Sequence, residues 1–189
     1  MIIKPEQEFE LYKQIQTNRA YLLNNGNTFF KDFRAANIEL DKNWFYLDIG
    51  CRLPAYTVKE LWKIGCENSY GIDIGSGLEK EWKNEKLKEA DVHNGIPFDL
   101  TFDVITISHV LEHCYDPIKV KEIINNHLNL NGYLHSIIPM DTEDGFLGHE
   151  PHRIQFESHQ EHTDFYKEFK LVYDHYSYPN SVVIFRKEH

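Results

Sequence analysis

No stretch of this 189-residue chain approaches the roughly 18 to 20 consecutive apolar residues of a membrane span. Its first residues, MIIKPEQEFELYK, turn polar and acidic at once and lack the apolar stretch of a signal peptide. Cysteine is scarce. Cys51, Cys66 and Cys114 are odd in number and widely spaced, which fits neither a disulfide framework nor a cysteine-rich zinc module. These absences point to a reduced, cytoplasmic protein with no membrane association. Positive charge is also short, with 20 Lys and Arg against 30 Asp and Glu, a formal net charge of −10. Binding to a phosphate backbone needs a basic face, so nucleic acid is disfavoured as a partner. Internal repeats, low-complexity tracts and Ser/Gly linkers are missing. What remains is 41% hydrophobic and 14% aromatic, enough for a packed core and too much for wholesale disorder.

The length suits one domain of ordinary size with something added. The expected division is a helical extension over residues 1–43 and a main domain over 44–189. Within the extension, residues 6–23 carry Phe9, Tyr12, Ile15, Arg19, Leu22 and Leu23 near one helical face. The run Asn24 to Asn27 is expected to stop that helix. Phe29, Phe30 and Phe33 then suggest a second short helix leaning on an apolar surface. The extension either packs on the main domain or serves as a lid over a ligand pocket.

From Trp44 onward, strand-like and helix-like stretches alternate. WFYLDIG (44–50) reads as a first strand, SYGIDI (69–74) as a second, 86–92 as a weaker third, FDVITIS (102–108) as a fourth and YLHSIIP (133–139) as a fifth. Val58, Leu61 and Trp62 have helical spacing, and Gly65 can cap that helix. Asp116 followed by Pro117 marks the start of another helix, carried on by Val120, Ile123, Ile124 and Leu128 and expected to end at Gly132. Ser158 and Glu161 form a capping box ahead of Phe165, Tyr166 and Phe169. KLVYDHYSY (170–178) and VVIFR (182–186) are joined so closely that they must pair antiparallel. The expected fold is therefore α/β: a doubly wound, mostly parallel sheet with helices on both faces and an antiparallel C-terminal hairpin.

In an open parallel sheet, ligands bind beyond the carboxyl ends of the strands, where the strand order reverses. The first strand ends in Asp48, Gly50, Cys51 and Arg52, and the second in Asp73. The third ends near Asp91. The fourth is followed by Ser108, His109, Glu112 and His113. A carboxylate at the tip of the second strand suits two ribose hydroxyls, which it can accept in a fork. A glycine in the first turn lets a ligand approach the backbone closely.

LDIGC, GIDI, ADVHNGIPF, FDVITISHVLEHCYDP and LNLNGYLHSIIP, taken in order, resemble the class I, Rossmann-like methyltransferases that depend on S-adenosylmethionine, and most of all their small-molecule branch. The resemblance spans about residues 44–188. It implies a seven-stranded sheet whose last strand is antiparallel, in a three-layer α/β/α arrangement. It also implies S-adenosyl-L-methionine as cofactor, S-adenosyl-L-homocysteine as product, and a small-molecule methyl acceptor as partner. Carried over by position, Asp48 and Gly50 lie near the methionine moiety, with Cys51 and Arg52 in the same loop. Asp73 holds the ribose hydroxyls and Ile74 lies beside the adenine. Asp91 and Val92 meet the adenine edge, and Ser108 and His109 line the floor between cofactor and acceptor. The family's first motif usually reads DxGxGxG, whereas Arg52 and Pro54 stand here at its second and third glycines. Arg52 either pairs with the cofactor carboxylate or obstructs the loop. The enzyme chemistry that follows is transfer of a methyl group to an O, N or C nucleophile. His109 and His113 are the candidate catalytic bases, because an imidazole titrates near neutrality.

Other readings of the same residues exist. His109 to His113 fits H-x-x-E-H, a zinc peptidase pattern, but that pattern requires a helix where a strand has just ended. His149, His152, His159 and His162 have metal-ligand spacing, yet read as a polar loop entering a helix, and no metal is expected. A dinucleotide-dependent oxidoreductase would need a G-x-G-x-x-G cradle that Gly50 to Ala55 does not supply. A catalytically silent methyltransferase-like binding module is kept in view by Arg52 and Pro54. The segment 141–153, DTEDGFLGHEPHR, is expected to form a loop over the acceptor pocket.

Overall fold

The computed structural model describes residues 25–52, 55–75, 85–140, 156–177 and 179–189. The expected helix over 6–23, the acceptor loop over 141–153, His149, His152, Leu53 and Pro54 lie outside these residues. In chain order the elements are α1 (Asn25–Ala35), β1 (Tyr46–Ile49), α2 (Tyr56–Lys63), β2 (Ser69–Asp73), β3 (Leu87–Glu89), β4 (Phe102–Ser108), α3 (Pro117–His127), β5 (Leu128–Pro139), α4 (His159–Phe165), β6 (Lys170–Ser177) and β7 (Asn180–Arg186). Short 3-10 turns follow β3, at Val92–Asn94, and β4, at Leu111–His113.

The seven strands form one sheet in the order β3-β2-β1-β4-β5-β7-β6. The pairs among β1 to β5 are parallel, whereas β7 runs antiparallel to both β5 and β6. From β1 the chain builds outward through β2 and β3, then crosses to β4 on its other side. The order therefore reverses between β1 and β4, and the crevice at their carboxyl ends is where a ligand belongs.

Burial explains why β1 reads as an unbroken apolar run rather than an alternating one. All four of its residues are buried, because both faces of the sheet are covered. Leu47, Ile49, Ile105, Ile107, Leu134 and Phe185 pack with Val120 and Ile124 of α3 and with Tyr166 just after α4. On the other face Tyr46, Val104 and Ile184 pack with Phe29 and Phe33 of α1 and Leu61 of α2. The expected second short helix is thus α1, and what it leans on is the sheet. Its docking includes a polar core. His135 Nε2 lies 3.0 Å from Asp32 Oδ2 and His135 Nδ1 lies 2.9 Å from Thr106 Oγ1. All three residues are buried and the imidazole is flanked edge-on by Phe29 and Phe33.

The local signals resolve as expected at several ends. The Lys119 N–H donates to Asp116 Oδ1 at 3.0 Å, with Pro117 at the first helical position of α3. The Glu161 N–H donates to Ser158 Oγ at 3.2 Å. Gly65 follows α2 at φ 91°, and the Cys66 N–H closes back on the Leu61 carbonyl at 2.9 Å.

Asn25, Gly26 and Asn27, expected to stop a helix over 6–23, open α1; the end of that earlier helix lies outside the described residues. Two expectations are corrected. Gly132 does not end α3, which ends at His127. It lies inside β5, where a Cβ would come within 2.9 Å of the Asn129 and Asp103 carbonyl oxygens. Glycine is there for close backbone approach, not as a helix stop. The third strand is also shorter than 86–92, and Val92 belongs to the 3-10 turn that follows it.

Candidate active site

Asp48 and Asp73 close the two central strands on one side of the reversal, and both are buried. They lie near enough to repel, since the charge of Asp73 adds to burial in raising the Asp48 carboxyl to about 7, against the pull of the Thr57 hydroxyl and of Arg52. Burial likewise pushes Asp73 up, opposed by the N–H groups of Gly75 and Arg52. Those two amides reach the carboxylate from opposite sides, Arg52 N–H to Oδ2 at 2.9 Å and Gly75 N–H to Oδ1 at 2.7 Å. The Cys51 thiol belongs to the same cluster. Burial raises it most, followed by the charges of Asp48 and Asp73.

The turn after β1 is held against β2 by the Gly50 and Cys51 N–H groups, which donate to the Ile72 carbonyl at 2.8 and 3.1 Å. Gly50 has φ 75°, and a Cβ there would sit 2.1 Å from Val110 Cγ2. Only glycine allows this turn and the one after β4 to touch. Arg52 adopts φ 53°, a left-handed conformation that glycine takes at no cost. The backbone shape of a glycine position is thus kept by an arginine, and its N–H goes to Asp73.

Beyond β4, Ser108 Oγ is buried with no hydrogen-bond partner among the described residues. His109 has φ 54° and donates its N–H to the Ile137 carbonyl at 2.9 Å, which locks the start of the turn to β5. The carboxylate of Glu112 lies between two imidazoles, with Oε1 3.7 Å from His109 Nδ1 and 3.8 Å from His113 Nε2. At the end of β3, Asp91 accepts the His93 N–H at 2.9 Å and lies 2.7 Å from His93 Nδ1. His93 stacks on Tyr115 with ring centroids 3.7 Å apart and 14° between planes. The Ala90 N–H donates to the Asp73 carbonyl at 2.8 Å, so the ends of β2 and β3 adjoin.

A search of curated protein sequences finds no match. A family described as "Methyltransferase domain" matches residues 16–172. The chain belongs to the S-adenosylmethionine-dependent methyltransferase family.

Solved structures share the fold of this methyltransferase at low identity. An S-adenosylmethionine-dependent methyltransferase from Aquifex aeolicus is 16% identical with a TM-score of 0.66, over 98% of this chain and 99% of the other. A putative methyltransferase of Haloferax volcanii, in complex with the activator Trm112, is 13% identical with a TM-score of 0.68, over 90% and 96%. The N-methyltransferase NodS of Bradyrhizobium japonicum, in complex with S-adenosyl-L-homocysteine, is 17% identical with a TM-score of 0.61, over 94% and 98%.

The methyltransferase's crevice fits its cofactor chemically. S-adenosylmethionine brings a sulfonium, an ammonium and two ribose hydroxyls, all cations or hydrogen-bond donors. The crevice offers two buried carboxylates, Asp48 and Asp73, whose affinity for protons is raised chiefly by burial. The structure also supplies neighbours that the sequence reading passed over. Thr57 bonds Asp48, Val110 packs on Gly50, and His93 and Tyr115 stack beside Asp91. Thr57 is the one with a local signal, a hydroxyl in the first turn of the helix after the ligand loop. The others meet through tertiary contacts. His159 and His162 do not converge on a metal position. Their Nδ1 atoms lie 2.6 and 2.8 Å from Ser181 Oγ, His162 Nε2 is 2.9 Å from Ser136 Oγ, and His159 Nε2 is 2.9 Å from Asp174 Oδ2. Of the H-x-x-E-H residues, Leu111–His113 form a 3-10 turn and His109 has φ 54°, not the α-helix that a zinc peptidase site requires.

Proposed function

We propose that this methyltransferase transfers a methyl group to an O, N or C nucleophile of a small-molecule acceptor. Asp48, Gly50, Cys51, Arg52, Asp73, Ile74, Asp91, Val92 and Ser108 surround the cofactor, and His109 and His113 face the acceptor. The observation that carries this reading is the buried acidic pair Asp48 and Asp73 at the ends of the central parallel strands, beside a turn bearing two imidazoles. A small acceptor agrees with the net charge of −10, which disfavours a polyanion. NodS is an N-methyltransferase and MtfA, a further structural neighbour, is a glycopeptide N-methyltransferase.

When bound, S-adenosylmethionine supplies an already electrophilic methyl group. The chain's own work is then alignment and proton management. Asp73, held from both sides by amides, accepts ribose hydroxyls with its remaining lone pairs. Asp48 counters the positive end of the cofactor. Asp91 already caps the turn after β3, so its contribution to the adenine edge is a carboxylate fixed in place by His93. His109 takes the proton that an acceptor O–H or N–H must lose. Residues 44–189 carry the sheet, and in residues 1–43 the part seen as α1 serves as a packing element of that sheet.

Calorimetric titration with S-adenosylhomocysteine tests the cofactor site. The protein is expected to bind, and Asp73→Ala to bind at least about tenfold more weakly, the worth of a charge-assisted hydrogen bond. No heat and no thermal shift with the intact protein would favour a silent binding module. Transfer of labelled methyl to a panel of small amines, phenols and carbon acids tests the acceptor class. Full turnover by His109→Ala on an acceptor so identified would remove the catalytic role of His109.

A further inference from the structure

We infer that His159, Ser181 and His162 form a tautomeric relay, in which a proton taken up by the partly exposed His159 switches the buried His162 from its Nδ1–H to its Nε2–H form. Every step of the chain is within hydrogen-bond distance. Asp174 Oδ2 lies 2.9 Å from His159 Nε2, and His159 Nδ1 lies 2.6 Å from Ser181 Oγ. Ser181 Oγ lies 2.8 Å from His162 Nδ1, and His162 Nε2 lies 2.9 Å from Ser136 Oγ. His162, Ser181 and Ser136 are buried, whereas Asp174 is exposed.

With both rings neutral, these contacts admit one proton arrangement. A carboxylate only accepts, so His159 carries its proton on Nε2. Its Nδ1 is then a lone pair and accepts the Ser181 hydroxyl. That hydroxyl has a single hydrogen, so its oxygen must accept from His162 Nδ1–H. His162 Nε2 in turn accepts the Ser136 hydroxyl.

A second proton on His159 makes its Nδ1 a donor. Ser181 then accepts from His159, and its hydrogen turns to the other partner that its oxygen has among the described residues, His162 Nδ1. His162 therefore bears its single proton on Nε2 and donates to Ser136. The two states differ by one proton, drawn from solvent and held on His159. His162 stays neutral in both, as its burial demands, since desolvation lowers it to about 3. Acceptance by Ser181 from both rings would instead leave a buried hydroxyl hydrogen without an acceptor.

The other titratable groups facing the pair are His135 on β5, tied to Asp32 and Thr106, and two tyrosines. The ring of Tyr176 on β6 lies 6.2 Å from that of His159, and the ring of Tyr166 lies 5.9 Å from that of His162. Burial raises the Tyr166 hydroxyl against the pull of Ser136, and the charges of Cys114, Glu168 and Glu112 add to it. The relay thus carries the state of a group at the edge of the molecule inward to Ser136 and Tyr166, which adjoin the turn after β4, without burying a charge.

The experiment is ring-nitrogen NMR on the full chain with labelled imidazoles, followed from pH 8 down to pH 4.5. It needs neither cofactor nor acceptor. At the alkaline end His159 should carry its proton on Nε2 and His162 on Nδ1. As His159 gains its second proton, His162 should remain neutral while its tautomer ratio inverts, from about ten to one for Nδ1–H to about ten to one for Nε2–H, the worth of one hydrogen bond on each side. Both changes should share one midpoint. In His159→Gln, and in Ser181→Ala, the His162 tautomer should not change over the same range. A proton on His162 Nε2 at pH 8 overturns the inference from the unmodified protein alone, and so does a His162 tautomer that stays fixed while His159 titrates. An inversion that persists in His159→Gln overturns it as well.

Discussion

A buried carboxylate at about 7 makes Asp48 a measurable destabiliser of the empty protein. In the unfolded chain it titrates near 3.8, so below about 4 both states hold the proton or the folded state holds it more readily, and stability is at its fullest. As pH rises toward and through 7 the folded state must ionise a desolvated acid and stability is lost, by up to about 4 kcal/mol for three pH units. Asp48→Asn should therefore raise the melting temperature of the ligand-free protein at pH 8 and leave it little changed at pH 4, while weakening S-adenosylhomocysteine binding. Thermal denaturation at both pH values, with calorimetry, checks all three. A binding group that costs stability until its ligand arrives is an ordinary trade at functional sites. Asp48 and Asp73 were legible because each follows a short apolar run directly. The left-handed conformation of Arg52 was not legible. Its residue type argues against that backbone, which the contact with Asp73 and the packing of the turn impose.

Between elements, the contact of the turn after β1 with the turn after β4 is the tightest constraint on the crevice. Gly50→Ala combines a left-handed strain of about 1 to 2 kcal/mol with an overlap on Val110 costing about 1 to 3 more. Urea denaturation should show a loss of at least about 2 kcal/mol. Adding Val110→Ala should restore the steric part only.

The chain Asp174–His159–Ser181–His162–Ser136 ties α4 to β5, β6 and β7, and it too has a pH signature. Burial lowers His162 to about 3 from an ordinary 6.5, with the nearby His159 and His135 adding to the fall. The unfolded state takes up this proton first, so stability present above 6.5 is lost as pH falls toward 3, at up to about 1.4 kcal/mol per pH unit. This slope opposes that of Asp48 over the same range. His162→Asn should flatten the acid side of the stability profile measured in urea between pH 4 and 7. At this scale the alternation of strands and helices was readable, as was the C-terminal hairpin, because a short connection permits only antiparallel pairing. The end of α3 was misread. LNLNGYL joins β5 because β4 pairs with it from Leu128 onward, a long-range event that a glycine in the sequence does not report.

At the scale of the whole molecule, the reversal of strand order brings residues from four separate loops to one crevice. Ligand binding there should couple to global unfolding. At a hundredfold excess over Kd, S-adenosylhomocysteine should stabilise by about 2.7 kcal/mol, equivalent to roughly 5 to 11 °C for a chain of this size. Asp73→Ala, binding at least about tenfold more weakly, should show about half of that shift or less at the same ligand concentration. A scanning calorimeter trace with and without ligand is sufficient to decide.

By itself the sequence determined the alternation of elements, the acidic residues at the strand ends, the capping of the helices and the methyltransferase resemblance. These are encoded in neighbouring residues through periodicity, hydrogen bonds within a turn or two, and short motifs. Tertiary structure alone decided the strand order, the mutual burial of Asp48 and Asp73, the glycine-like backbone of Arg52, the stacking of His93 on Tyr115, and the enclosure of Glu112 between two imidazoles. Each depends on desolvation or on packing between segments distant in the chain, and those energies exist only once the sheet has closed the space around them.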